Sequence, residues 1–335
     1  MIRRLISIAI GLGAIGTSVL ALLALLGILS PALDLLNHLQ LLLFGGAMVS
    51  TALAILVFPR NLWRRSVIVC GTLGFIASSL VVVPEMISGL GPRDPSPTDG
   101  RRVVRLMTHN LFGRNYDMEL VTSVIAAEDP DIIALQEYFG GQASELHPLI
   151  SGRYPFYARC KGGKRANIGL YSRFPFTEKM SPGACPEDAY GTQRTANIIA
   201  DFTLEDGQRF AVVTTHLDWP VPIERQRAEL HELVEAIADI DEPLILVGDF
   251  NSTPWSYTLR SFEAEAGLTR HTRNLVTFPM VWYYLGDWRP LIPILPLDHA
   301  MTRGAISVHA VRAGPPTGSD HLPVIIDFSL STMAP

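Results

Sequence analysis

Acids, amides and imidazoles recur through the last two thirds of this sequence in a way that suits metal-assisted chemistry. Glu137, Asp249, Asp298 and Asp320 offer carboxylates, Asn110 and Asn251 offer neutral amide oxygens, and His216, His299 and His321 offer imidazoles. Carboxylate and amide oxygens are the ligands of hard divalent cations, Mg²⁺ first, with Mn²⁺ or Ca²⁺ as alternatives. The Cys and His sets of a structural zinc site are missing from the sequence. Imidazoles among carboxylates add groups that can hold or move a proton near neutral pH. Any one of these residues alone reads as a solvated strand end or a satisfied structural histidine. Five or six such clusters in one stretch point to a site.

Most of the clusters follow a short apolar run. Val103–Thr108 leads to His109 and Asn110, Asp131–Gln136 to Glu137, Phe210–Thr215 to His216, and Pro243–Gly248 to Asp249, Phe250 and Asn251. Runs of 4–6 residues rich in Val, Ile and Leu predict buried strands. Helical spacing predicts helices over Met118–Glu128 and Ile223–Ile240, the second with Leu230, Leu233, Val234 and Ile237 on one face. Strands mixed with helices make an α/β or α+β class. Polar groups just past buried strands are held by a rigid scaffold.

In order, Asn110, Leu-Gln-Glu137, Ser172-Arg-Phe-Pro175, Thr-His216-Leu, Gly-Asp249-Phe-Asn251, Asp298-His and Ser-Asp320-His321 resemble the endonuclease/exonuclease/phosphatase superfamily. Gly-Asp-Phe-Asn and Ser-Asp-His are the most specific pieces, and the likeness runs through nearly all of Arg101–Phe328. The resemblance implies a four-layer α-β-β-α sandwich with two mainly antiparallel sheets and a site at one end. It also implies phosphate-ester hydrolysis by a metal and an activated water. Glu137 would be the principal metal ligand, with Asn110 and Asp320 completing or orienting the metal site. Asp249 would position or deprotonate the water, and Asn251 would hydrogen-bond a phosphate oxygen. His216 would donate to the phosphate or assist the leaving group. His321 would contact the phosphate, oriented by Asp298. Asp218, His299, Arg165, Asn167 and Arg194 are weaker neighbours. Tyr171 and Tyr190 are candidates for the mid-chain Tyr that apurinic members use. Substrates left open are a lipid head group or other phosphodiester, and nucleic acid. A fold that has lost activity and serves as a binding module is the alternative to an enzyme.

The positioning elements start only after about residue 100. The 335-residue chain is 48% hydrophobic and 18% charged, and residues 1–90 hold seven of its 59 charged side chains. That uneven dilution excludes disordered and disulfide-framework classes. Charge-free runs of 25, 20 and 18 residues, Leu5–Leu29, Leu39–Phe58 and Ser66–Val83, predict three transmembrane helices in residues 1–84. The first run exceeds a signal-peptide core. His38 and Gln40 read as ordinary span-edge polarity. A Pro/Gly-rich linker is expected over 85–100 and a catalytic domain over 101–330. Arg3 and Arg4 precede the first span, and Arg60, Arg64 and Arg65 separate the second from the third. The positive-inside rule then places the N-terminus in the cytoplasm and the catalytic domain in the periplasm or outside, as for a bacterial inner-membrane protein. A transporter is disfavoured because no intramembrane acid–base chain is legible.

The first 90 residues carry +3 and the remainder −8, together the −5 of the whole chain. An acidic domain argues against broad gripping of nucleic acid. Cys160 and Cys185 fall in the exported part and are expected to form a disulfide there. Phe278–Pro296 is apolar and aromatic and precedes Asp298, so it reads as a rim of the site or a packed loop.

Overall fold

Two parallel strand pairs lead into Asn110, Glu137, His216 and Asp249 in the computed structural model, which describes residues 2–91, 101–162, 165–179, 185, 195–284 and 287–331. The chain divides into two compact units, residues 1–91 with Ser252–Ser261, and residues 92–251 with 262–335.

The larger unit holds two six-stranded sheets. Its first half contributes β1 (Val104–Asn110), β2 (Ile132–Gln136), β3 (Phe156–Cys160), β4 (Ile168–Ser172), β5 (Phe176–Lys179), β6 (Asn197–Thr203), β7 (Arg209–His216) and β8 (Leu244–Asp249). Its second half adds β9 (Thr269–Arg270), β10 (Val281–Tyr284), β11 (Asp287–Pro290), β12 (Asp298–Arg303), β13 (Ile306–Ala313) and β14 (Val324–Leu330). The sheet orders are β13-β14-β1-β2-β4-β3 and β5-β6-β7-β8-β12-β9, with β10 and β11 a separate hairpin. Among the described residues only β1–β2 and β7–β8 are parallel; every other pair is antiparallel.

The sheets bury one shared apolar core. Ile132, Leu170 and Phe328 of one meet Ile198, Phe202, Phe210 and Val247 of the other. Outside the first sheet, Val121 and Ile125 of Met118–Glu128 and Leu146 of Gly140–Ile150 pack on Met107, Ile133 and Leu135. The helix Met118–Glu128 begins where Asp117 accepts from the Leu120 N–H, and it ends at Asp129 with φ +51°. Ile223–Ala238 buries Leu230, Leu233 and Ile237. Strands covered on both faces explain the unbroken apolar runs.

Register brings the polar ends together. Asn110 lies opposite Gln136, His216 opposite Asp249, and Asp249 opposite Asp298. Gly248 sits opposite Thr215 with φ +148°, and a side chain there would be driven into the Thr215 carbonyl oxygen. The glycine of Gly-Asp-Phe-Asn is therefore a backbone requirement. Cys160 and Cys185 form the expected disulfide, with Cα atoms 5.1 Å apart.

In the smaller unit, three helices are long and apolar enough to cross a membrane, over Arg4–Ile28, Pro31–Val57 and Leu62–Ser88. They comprise α1 (Ile2–Leu25), α2 (Pro31–Asp34), α3 (Gln40–Val57) and α4 (Leu62–Ser88). Small residues let them pack closely: Ala14, Ala21, Ala54 and Ala77 are buried between them, and the Ser18 hydroxyl reaches the Cys70 carbonyl at 2.5 Å. The remaining helices, in chain order, are α5 (Met118–Glu128), α6 (Gly140–Ile150), α7 (Ile223–Ala238) and α8 (Tyr257–Glu265).

Two expectations need correction. The last apolar helix does not stop at Val83 but continues through Pro84 to Ser88. Pro84, exposed on this helix, lacks the N–H that would bond one turn back, but the loss is a single bond and the helix runs on for one more turn. The rest of the expected linker, Pro92–Gly100, lies outside the described residues. His38 and Gln40 are also not idle edge polarity, since Gln40 is fully buried and donates to Asn37 Oδ1 at 2.8 Å.

Two stability outcomes follow. Gly248→Ala should cost about 3 kcal/mol or more through strain and overlap, read as a lost or sharply lowered thermal transition. Cys160→Ala should cost about 3 kcal/mol by freeing the closed loop, and intact-mass analysis after alkylation without reductant should find only Cys70 modified in the parent chain.

Candidate active site

The site is assembled where β1, β2, β7 and β8 end and β12 begins. Asn110 closes β1; its side-chain nitrogen donates to Asp249 Oδ2 at 2.9 Å and to Glu137 Oε1 at 3.4 Å. Asn110 Oδ1 accepts from the Phe112 N–H, and Glu137 Oε2 from the Gly113 N–H at 2.6 Å. The loop after β1 thus aims both side chains inward. Glu137 has φ +52° and Asn251 φ +46°, left-handed backbone that a non-glycine residue adopts at a cost.

Asp249 is almost fully buried. Its Oδ1 accepts from the Asn251 N–H at 2.8 Å, while His216 Nε2 and His321 Nε2 stand 3.6 and 3.7 Å from Oδ2. Burial pushes the Asp249 carboxyl above the ordinary carboxylate range, against the pull of His321. Asn251 directs its amide nitrogen to the Leu217 carbonyl at 2.8 Å, with His216 Nε2 at 3.4 Å. Its Oδ1 is buried with no hydrogen-bond partner among the described residues, as is Asp298 Oδ1.

Asp298 Oδ2 receives His321 Nδ1 at 2.8 Å and the Thr277 hydroxyl at 2.6 Å. Burial alone would discharge His321, but the charges of Asp298 and Asp249 win and raise it to about 10. Burial lowers His216 to about 4 against the pull of Asp249 and Asp218, with Arg165 and His321 on the side of burial, so it is neutral. Asp320 is pushed up to about 6 by burial, with Glu137 and Asp249 adding to it and His321 pulling against it. Ser319 ties this loop down, donating to the Asn110 carbonyl at 2.7 Å and accepting from the His321 N–H.

Asn110, Glu137, His216, Asp249, Asn251, Asp298, Asp320 and His321 therefore belong to one charge-coupled cluster. Crowded carboxylates and buried oxygens without donors fit a hard cation. Asp249, Asp298 and His321 also present ligand atoms within 4.8 Å of one another. Asp298 Oδ2 and His321 Nδ1 already hold each other there, so a cation on that trio would compete with this bond.

A profile of the Endonuclease/Exonuclease/phosphatase family matches residues 107–321. The chain belongs to this family. Among curated relatives, a UPF0294 protein of Vibrio cholerae is 31% identical over 134 residues, 40% of this chain and 44% of that protein. A UPF0294 protein of Vibrio vulnificus is 28% identical over 139 residues, 41% and 45%. The match spans less than half of these relatives. Among solved structures, an endonuclease/exonuclease/phosphatase from Bacteroides vulgatus superimposes with a TM-score of 0.56 at 19% identity, over 69% of this chain and all of that one. The catalytic domain of human nocturnin gives 0.51 at 21% identity, over 71% and 100%.

Some candidates fall outside the cluster of this family member. Tyr171 is buried against Tyr138 and His147, on the far side of the first sheet. His299 Nδ1 meets the Thr272 hydroxyl and its ring packs on Phe250. Arg165 is paired by Asp218 at 2.6 Å, and the Asn167 backbone bridges Cys160 and Tyr138. Tyr190 and Arg194 lie outside the described residues. Sequence reasoning missed Thr277 and Gln226. Gln226 Nε2 holds the carbonyls of Asp218, Phe250 and Asn251 from within α7. Neither residue sits in a motif. At the rim, Phe278 lies between His321, at 4.8 Å between ring centres, and Trp219, at 5.9 Å. Trp219, Val221, Leu291, Ile292 and Ile294 are exposed, while the side chains of 282–289 lie outside the description.

Thr277→Val removes one donor to Asp298 and leaves its carboxylate underbonded. It should lower kcat about tenfold with little change in KM, read by steady-state kinetics on a soluble phosphodiester.

Proposed function

We propose that this protein is a membrane-anchored, divalent-metal-dependent phosphoesterase whose catalytic domain lies outside the cytoplasm. The observation that carries the reading is the convergence of Glu137 and Asn110 with Asp249, Asn251, His216 and the Asp298–His321 pair at one end of the two sheets.

Glu137 would hold the cation, Mg²⁺ first, with Asn110 and Asp320 beside it. When bound, the cation polarises the phosphate and offsets charge gathering on its oxygens. Asp249 orients the attacking water and takes its proton. Its carboxyl is fixed at both oxygens, by the Asn251 N–H and by Asn110, and burial has raised its proton affinity. Asn251 Oδ1, without a donor among the described residues, can accept from that water. His321, charged and held by Asp298, sets a positive group beside the phosphate. Neutral His216 contacts the phosphate from the opposite strand end.

The arginines around the apolar helices support the sidedness, and the Cys160–Cys185 bond suits an oxidising compartment. The apolar rim and the −8 charge beyond residue 90 favour a lipid head group or another non-nucleic phosphodiester over DNA or RNA.

The test is full-length protein in detergent against bis-p-nitrophenyl phosphate, p-nitrophenyl phosphate, phospholipid vesicles and plasmid DNA, with Mg²⁺, Mn²⁺, Ca²⁺ or chelator. Hydrolysis should stop with chelator and fall about 10²-fold or more in Glu137→Gln and Asp249→Asn. Parent-like rates in both variants would overturn the assigned roles. DNA nicking without lipid turnover would make the enzyme an extracytoplasmic nuclease. No turnover on any substrate would leave a binding module.

A further inference from the structure

The segment Ser252–Ser261 directly follows Asn251, yet it forms one compact unit with the three apolar helices. Within that unit the contacts centre on the loop between the first two long helices. Asp34 is only 4% exposed. Its carboxylate accepts from the N–H groups of Tyr257 at 2.7 Å and Thr258 at 2.9 Å, from the Thr258 hydroxyl at 2.8 Å, and from Asn37 Nδ2 at 2.9 Å. The Ser256 hydroxyl accepts from the next amide, Leu259, at 3.0 Å. The first three amides of α8 are thus satisfied, two of them by a residue more than 220 positions upstream.

The acceptor is itself braced. Asn37 donates to the Ala24 carbonyl at 3.0 Å and accepts from Gln40 at 2.8 Å. Gly27 leaves no room for a side chain, since a Cβ there would lie 2.9 Å from Asp34 Cα and 3.1 Å from the Tyr257 ring. Nearer the catalytic motif, His38 Nδ1 lies 3.1 Å from the Thr253 hydroxyl and 3.3 Å from its N–H. Trp255 is buried against Val81 and Val82 of α4. A carboxylate this deep is stable only while donors meet it, so the loop and the segment order each other.

Thr253 is two residues from Asn251, whose left-handed backbone, φ +46°, needs both flanks held. Gln226 grips the Phe250 and Asn251 carbonyls on either side of the Asn251 Cα. Downstream, Ser252–Ser261 belongs to the other unit, where His38 meets Thr253 and Asp34 meets Tyr257 and Thr258. We propose that Asp34 and His38 are positioning residues for the phosphoesterase site, fixing through Ser252–Ser261 the backbone that carries Asp249 and Asn251. The kinetic part rests on the function proposed above; the conformational part does not. The helices then do more than tether the domain.

The experiment uses full-length protein in detergent as the parent, Asp34→Ala, Asp34→Asn and His38→Ala. Hydrogen exchange over residues 249–256 needs no turnover. It should rise about tenfold in Asp34→Ala while β7 stays protected. With Mg²⁺ and bis-p-nitrophenyl phosphate, kcat should fall at least about fivefold, KM should change by less than about twofold, and Asp34→Asn should recover part of the loss. Unchanged exchange at 249–256 overturns the inference, whether or not the parent is an enzyme. Raised exchange with a smaller fall in kcat in an active enzyme overturns it too, because the contact is then structural only. If Asp34→Ala does not accumulate, His38→Ala decides by the same two readouts.

Discussion

A buried charge must be met by partners, and the end of the two sheets that gathers the acids and imidazoles is built around that constraint. Asp249, Asp298 and His321 are each at most 3% exposed. Leaving one such charge unpaired costs about 3–5 kcal/mol, so their geometry cannot relax piecemeal. The antiparallel register of β8 and β12 sets Asp249 opposite Asp298, and the loop before β14 brings His321 between them. The parallel register of β7 and β8 adds His216, and that register is possible because Gly248 has no side chain to strike Thr215. A backbone requirement at one glycine and a charge requirement at three side chains are therefore parts of one arrangement.

That arrangement also separates the two imidazoles. His216 and His321 stand almost equally far from Asp249 Oδ2, 3.6 and 3.7 Å, yet one is neutral and the other charged. The difference is the partner: Asp298 is hydrogen-bonded to His321 at 2.8 Å, whereas Asp218, the second carboxylate acting on His216, is paired with Arg165. Two groups of the same type are thereby given opposite protonation by their neighbours, as acid–base sites require.

The sequence made the strand-borne part of the site legible, because a buried strand announces itself by its apolar run and its functional residue follows at once. Asn110, Glu137, His216 and Asp249 were all found that way, and the structure brings them together. Thr277 and Gln226 were not legible. Each acts through a contact with a residue distant in sequence, and neither a lone Thr nor a Gln on a helix carries a pattern. The same holds for Asp34, His38 and Gln40, which look like polar residues at a helix edge until Tyr257, Thr258 and Thr253 are placed against them. The end of the last apolar helix is not legible for a different reason: a proline removes one hydrogen bond without ending every helix, and this one runs on to Ser88.

Charge decides how such a site meets a phosphate. The residues beyond 90 sum to −8, which repels an anion at a distance. Close in, Arg165 is already neutralised by Asp218, so the cationic group the cluster itself offers is His321. A bound divalent cation at Glu137 and Asn110 would reverse the local sign, and an apolar rim at Trp219 and Phe278 would favour the non-phosphate part of the substrate. Recognition would then rest on short-range contacts rather than on a long-range field. That would suit the membrane-anchored domain proposed above, whose substrate would be concentrated by geometry and would not have to be drawn in by charge.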